Sequence, residues 1–244
     1  MGTPAFSFGI FPGAMTDLVV APGVSPANGR GFEDFTTMGG TRSVQRGRKN
    51  PRSWSVSRPW QQPGFARLLG LAAHGLGGDM CLYDRACARQ NLVPATRAVG
   101  DGALVTVAGL SLGAVLWKTI QVPVLAGRVY TISAWAASGS PLTAAVPGGS
   151  ATAMPTVTGG VSTRTFTAAS AGYVTLTRTT QVTSGVRIHE GQPDGTFYAT
   201  EGTPTTVAVR DPERTYQLVT DTETLIDYTV ELLEVGTYPG TITY

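Results

Sequence analysis

The sequence predicts a mainly β protein: a small N-terminal β-sheet domain with one helix, followed by a C-terminal jelly-roll β-sandwich. Three observations carry this. Gly (31) and Pro (16) make up about a fifth of the 244 residues, against 42% hydrophobic and only 14% charged side chains. Short strands joined by many turns have this makeup. From residue 104 onward, apolar and polar residues alternate in one short segment after another, with no helical periodicity between them. Charge is divided too. Residues 1–97 carry 11 basic and 5 acidic side chains, a balance of +6, and residues 98–244 carry 7 and 11, a balance of −4. That asymmetry argues for two units in different surroundings: a basic β-rich domain over 1–94, a linker over 95–103 and the sandwich over 104–244.

In the first unit, residues 5–40 are rich in Gly and Pro with short apolar runs such as LVVAP (18–22), the pattern of one or two strands and long turns. MGGTR (38–42) reads as a turn into a strand at Arg42–Val44, and Asn50-Pro51 as a second turn. RSWSVSR (52–58) then alternates, with Trp54 and Val56 on one side and Ser53, Ser55 and Ser57 on the other. That is the period of a half-buried strand. QQPGFARLLGLAAHGLGG (61–78) is the expected helix: Pro63 sits near its start, Phe65, Leu68, Leu69, Ala72 and Leu76 share one face, and Gly75 and Gly77 offer a stop. Trp54 and Val56 are expected to pack on that face. DMCLYD (79–84) reads as a short strand, and the Asn, Pro and Gly punctuation of ARQNLVPATRAVGDGA (88–103) reads as connection.

Eight strands are expected in the second unit: 117–124, 128–136, 162–168, 172–179, 185–190, 205–210, 215–220 and 225–235. Each alternates, and turns such as LAGR, GGS and DPER lie between them. Strands at this spacing make a sandwich of the jelly-roll kind.

Chemistry-bearing motifs are few. Arg42, Arg46, Arg48, Lys49, Arg52 and Arg58 form a basic tract with no acidic residue among them, which can be a nucleic-acid surface. An excess of +6 is small for a duplex binder, and the strand reading of RSWSVSR competes with it. No nucleic-acid partner is expected. The two histidines, His74 and His189, fall in different units, no Gly-x-Ser-x-Gly elbow is present, and no Gly-rich loop leads into a helix with a following Lys. His189 alternates with Val186 and Ile188 and so points away from their face. No catalytic residue, metal ligand or cofactor is expected. Cys81 and Cys87 match no zinc spacing and read as two reduced, half-buried thiols. The opening residues lack the basic start of a signal peptide, and no apolar run spans eighteen residues, so synthesis in the cytoplasm and no membrane insertion are expected. Among aromatics of the second unit, Trp117, Trp135 and Tyr198 are candidate glycan contacts, since aromatic faces stack on sugar rings. Tyr130 and Ile132 share one face of their strand while Trp135 falls on the other, which makes Trp135 the exposed ring.

GGTRSVQRGRKNPRSWSVSRPW, the PxFxxLLxLAAHGLG helix and ARQNLVP resemble the opening domain of minor tail proteins of actinobacterial siphophages. AGRVYTISAWA, STRTFTAASAGYVTLTRT and VRIHEGQPDGTFYATEG resemble carbohydrate-binding-module-like jelly rolls of the same tail proteins, and VAVRDPERTYQLVTDTETLIDYTVELLEVG has the look of that family. Sixteen arginines against two lysines fit a GC-rich host. The resemblance implies a non-enzymatic virion protein of a tailed bacteriophage, on the tail in several copies. Its implied partners are other tail or capsid proteins, copies of itself and host cell-surface polysaccharide. A carbohydrate-binding adhesin, or a capsid decoration or spike of the same fold, is the alternative. The six basic residues are then candidate docking contacts, those before RSWSVSR expected in a loop that meets an acidic neighbouring subunit.

Overall fold

The computed structural model describes residues 6–18, 30–36, 42–49, 53–61, 80–100, 104–106, 109–111, 113–179, 183–195, 204–210, 213–218, 224–237 and 242–243. Its first part holds β1 (Phe6–Ile10), β2 (Ala14–Leu18), β3 (Arg30–Thr36), β4 (Arg42–Lys49), β5 (Ser53–Gln61) and β6 (Met80–Asp84). Single helical turns follow at α1 (Arg85–Ala88) and α2 (Ala95–Ala98), then a small hairpin of β7 (Leu104–Thr106) and β8 (Gly109–Ser111). Next come β9 (Thr119–Val124), β10 (Val129–Gly139), β11 (Leu142–Ala145), β12 (Ala151–Ala153), β13 (Val157–Thr167), β14 (Gly172–Arg178) and β15 (Thr183–Glu190). The chain closes with β16 (Thr205–Val209), β17 (Glu213–Leu218), β18 (Thr224–Thr237) and β19 (Ile242–Thr243).

The fold is mainly β, as expected, and its centre is a β-sandwich. One sheet runs β13-β10-β15 and the other β12-β11-β14-β9-β19, all antiparallel. Alternation decides which residues face inward. On β10, Tyr130, Ile132, Ala134 and Ala136 are buried, and the first three share a core with Ile120, Val122 and Val124 of β9, Val174 and Leu176 of β14, and Val186 and Ile188 of β15. Each large aliphatic side chain so buried contributes about 1.5–3 kcal/mol. Strands β11 and β12 were not expected; LTAA and ATA are too short and too small to display a period.

The other large sheet runs β17-β18-β16-β6-β1-β2, with β5 on the second edge of β18. The strand pairing therefore crosses the expected division at 95–103. Three strands assigned to the sandwich, β16, β17 and β18, instead complete the sheet of the N-terminal unit: Val207 pairs with Met80, and Leu232 with Trp54. Without them β6 would show a bare strand edge and β5 would lose the strand it pairs with among the described residues. The core is continuous as well, because Phe11, Cys81, Tyr83 and Ala88 pack with the sandwich interior. Phe11 meets Tyr173 edge to face at 5.2 Å.

The stretch expected to connect the units is packed. Leu92, Val93 and Ala98 are fully buried, and the buried Asn91 amide replaces missing ladder bonds. Its Oδ1 accepts from the Val93 N–H (2.9 Å) and the Ile188 N–H (3.2 Å), while its Nδ2 donates to the Val186 carbonyl (3.3 Å). The Leu92 N–H donates to the Ile188 carbonyl at 2.7 Å. This segment thus covers an edge of β15. Farther on, Gly100 has φ 79°, and a Cβ there would lie 2.3 Å from the Gly113 carbonyl oxygen, so the close approach of the two segments requires glycine.

The basic tract differs from expectation in one respect. Arg42, Arg46, Arg48 and Lys49 lie along β4, paired antiparallel with β3, and not in a loop. SWSVSR (53–58) lies in β5 as expected, with Trp54 buried near its start and Arg58 opposite Tyr228. Arg52 and the expected helix beyond Gln61, including His74, lie outside the described residues, and Gln61 itself ends β5. Among the described residues no helix is long and apolar enough to cross a membrane.

Candidate functional site

A groove of about 270 Å³ lies on the outer face of the β13-β10-β15 sheet. Three features of the sequence make it. The odd positions of β10 point outward opposite its buried even ones, which brings Thr131, Ser133 and Trp135 to the groove. The pairing of β10 with β15 then slips by one residue between Ser133 and Trp135, and Gly185 (φ 59°) sits in that bulge. Bulges re-aim neighbouring side chains, and a residue with no side chain leaves space beside the indole. Finally the turn Gly191-Gln192-Pro193-Asp194-Gly195 folds back over the strand it leaves and makes the far wall.

That turn is held at several points. Arg187 on β15 is 1% exposed, and its guanidinium binds both carboxylate oxygens of Asp194 (2.5 and 2.9 Å). The same group donates to the carbonyls of Gln90 (2.6 Å) and Arg89 (3.1 Å), tying the wall to the segment after α1. A buried guanidinium that binds a carboxylate through two nitrogens holds it in one geometry. Thr131 donates its hydroxyl to the Gly191 carbonyl at 2.7 Å, and the Gly191 N–H donates to the Val129 carbonyl at 2.9 Å.

His189 closes the floor. Its Nε2 lies 3.1 Å from the Gln192 carbonyl oxygen. A carbonyl only accepts, so Nε2 carries the proton and Nδ1 holds the lone pair. Nδ1 is buried without a hydrogen-bond partner among the described residues. A second proton there would have no acceptor, and burial lowers the pKa below the ordinary 6.5; the Arg187 charge acts in the same direction, while the Gln192 carbonyl and Asp194 oppose it. With the folded pKa below the unfolded one, the unfolded chain binds more protons in this range. The contribution is complete above about pH 6.5 and is lost as the pH falls through the folded value. Thermal unfolding is expected to show stability falling on acidification by at most about 1.4 kcal/mol per pH unit from this group, and His189→Gln removes that component. Parallel pH profiles for the two proteins would contradict the assignment.

The candidate residues divide sharply. Trp135 lies half-buried at the groove, as its parity implied. Trp117 does not: it is 2% exposed in the core, with its indole N–H donated to the Arg97 carbonyl at 3.2 Å, and it cannot reach a ligand. Tyr198 lies outside the described residues, as do the side chains of Arg42, Arg46, Arg48, Lys49 and Arg58. Arg187, Asp194 and His189 were not foreseen as parts of one site. Their shared strand and the following GQPDG turn were visible, but which face the turn covers is not a local property. Among the described residues no three His, Cys, Asp or Glu side chains gather to hold a metal. Cys81 is a free thiol, fully rather than half buried, and burial pushes its pKa up to about 12. No protein-family model and no curated protein matches the sequence.

Proposed function

We propose that this chain is a structural protein of a tailed bacteriophage, a minor tail protein present in several copies, whose sandwich contacts saccharide on the host surface through the Trp135 groove. The groove is the observation that carries the reading: an indole beside the small floor residue Gly185, walled by a turn that Arg187 fixes in place. A preformed apolar face with a few polar groups around it is what a sugar ring needs. The tail assignment is supported by the resemblance of the segments quoted above, and the basic tract along β4 is the proposed contact with an acidic neighbour. Charge at such a contact sets partner choice more than affinity.

Binding is favoured over hydrolysis by the lining itself. Glycoside hydrolysis needs two carboxyl groups across the scissile bond, and Asp194 is the one carboxylate among the described lining residues. The purified chain is expected to be retained on host cell-wall polysaccharide. Trp135→Ala weakens that retention at least about tenfold and leaves a cooperative melting transition. Retention that ignores the substitution overturns the site. Antiserum raised against the chain is expected to label phage tails in electron micrographs, and bare tails overturn the tail assignment.

A further inference from the structure

Resting on that saccharide reading, we infer that the groove takes a single uncharged, hydroxyl-bearing ring and excludes acidic sugars. The reason lies in how its charges are used. A carboxylated sugar needs a cation, and the described lining contains one guanidinium, that of Arg187. It is 1% exposed and already binds Asp194 through two nitrogens. Asp194 lies seven residues along the same chain, so an incoming carboxylate competes with one delivered at high effective concentration.

Asp194 sets the sign of what remains. Its side chain is 42% exposed and lines the groove. An approaching anion meets this carboxylate first, and like charges brought together at an interface are strongly unfavourable. A hydroxyl meets an acceptor instead, since an ionised carboxylate offers about four lone-pair sites. A cationic sugar would have to compete for Asp194 with Arg187, which already holds both carboxylate oxygens. The rest of the lining sets the apolar Trp135, Pro193 and Val161, the last 62% exposed, beside the neutral hydroxyl residues Thr131, Ser133 and Thr163. Size points the same way. About 270 Å³ is below the roughly 300–1,000 Å³ of sites for drug-sized ligands, which suits one ring or the end of a chain.

The test is a calorimetric titration of the full chain with cellobiose and lactose as neutral probes, and with glucuronic acid and N-acetylneuraminic acid as anions. The expected result is neutral binding with the acids at least about tenfold weaker. Asp194→Asn, which frees the guanidinium, narrows or reverses that preference, while Trp135→Ala removes binding of both classes. A melting curve confirms that each variant is folded. Acids bound as tightly as neutral sugars by the unsubstituted chain overturn the charge argument and leave the saccharide reading standing. Binding of neither class overturns both.

Discussion

Replacing Glu190 by Gln is expected to lower folding stability by about 3–5 kcal/mol, the cost of removing one partner from a buried ion pair. Glu190 ends β15 and its side chain is 9% exposed; Arg85, in the helical turn after β6, is 6% exposed and binds both of its carboxylate oxygens. Burial alone pulls the Arg85 guanidinium down, and the hydrogen bond and charge of Glu190 more than offset it, so the group stays charged. A second guanidinium, Arg128, lies 3.9 Å from the same carboxylate and also binds Asp17 of β2 at 3.1 Å. Beside them the Tyr83 and Tyr130 hydroxyls meet at 3.2 Å, and Tyr130 accepts from the Leu125 N–H at 2.8 Å. This network joins the N-terminal sheet to the sandwich, so the Gln variant strikes where the two sheets are tied. Urea unfolding measures the loss. Arg85→Met combined with Glu190→Leu is expected to cost less than Glu190→Gln, because no charge is left stranded. A double variant as damaging as the sum of its single substitutions would show that the pair is not coupled.

Trp117→Ala is expected to cost about 3–5 kcal/mol through the cavity it leaves. The indole is 2% exposed among core side chains, and its N–H satisfies the Arg97 carbonyl. Trp117→Phe restores much of the volume but loses the indole hydrogen bond to the Arg97 carbonyl, so an intermediate loss is expected. Trp135→Ala, at a half-buried position on the outer face, costs no more than about 1 kcal/mol. The two tryptophans lie eighteen positions apart in sequence, and chemical denaturation separates them: one holds the fold, the other serves the groove. A loss below about 1 kcal/mol for Trp117→Ala would remove it from the core.

The reasons for that contrast were half visible beforehand. Trp135 sits inside an eleven-residue strand whose alternation reveals its face. Trp117 precedes β9, outside any strand, where period carries no information. His189 was read to the correct face, yet it is 3% exposed because the following turn covers it. The segment 91–93 looked like a connection from its Asn and Pro, and became part of the sandwich because the Asn91 side chain happens to fit the backbone of Val186 and Ile188. Composition cannot display such a fit.

What the sequence by itself determined was the class of fold, eight of the strands of its second half and the side of β10 on which Trp135 lies. These follow from the period-two geometry of an extended chain, which each segment satisfies alone. Only the tertiary structure decided that β16, β17 and β18 return to the N-terminal sheet, that Arg85 meets Glu190 across 105 positions, and that Arg187 draws Asp194 over the groove. Backbone hydrogen bonds are alike for every strand, so partner choice rests on packing and charge between residues far apart in the chain.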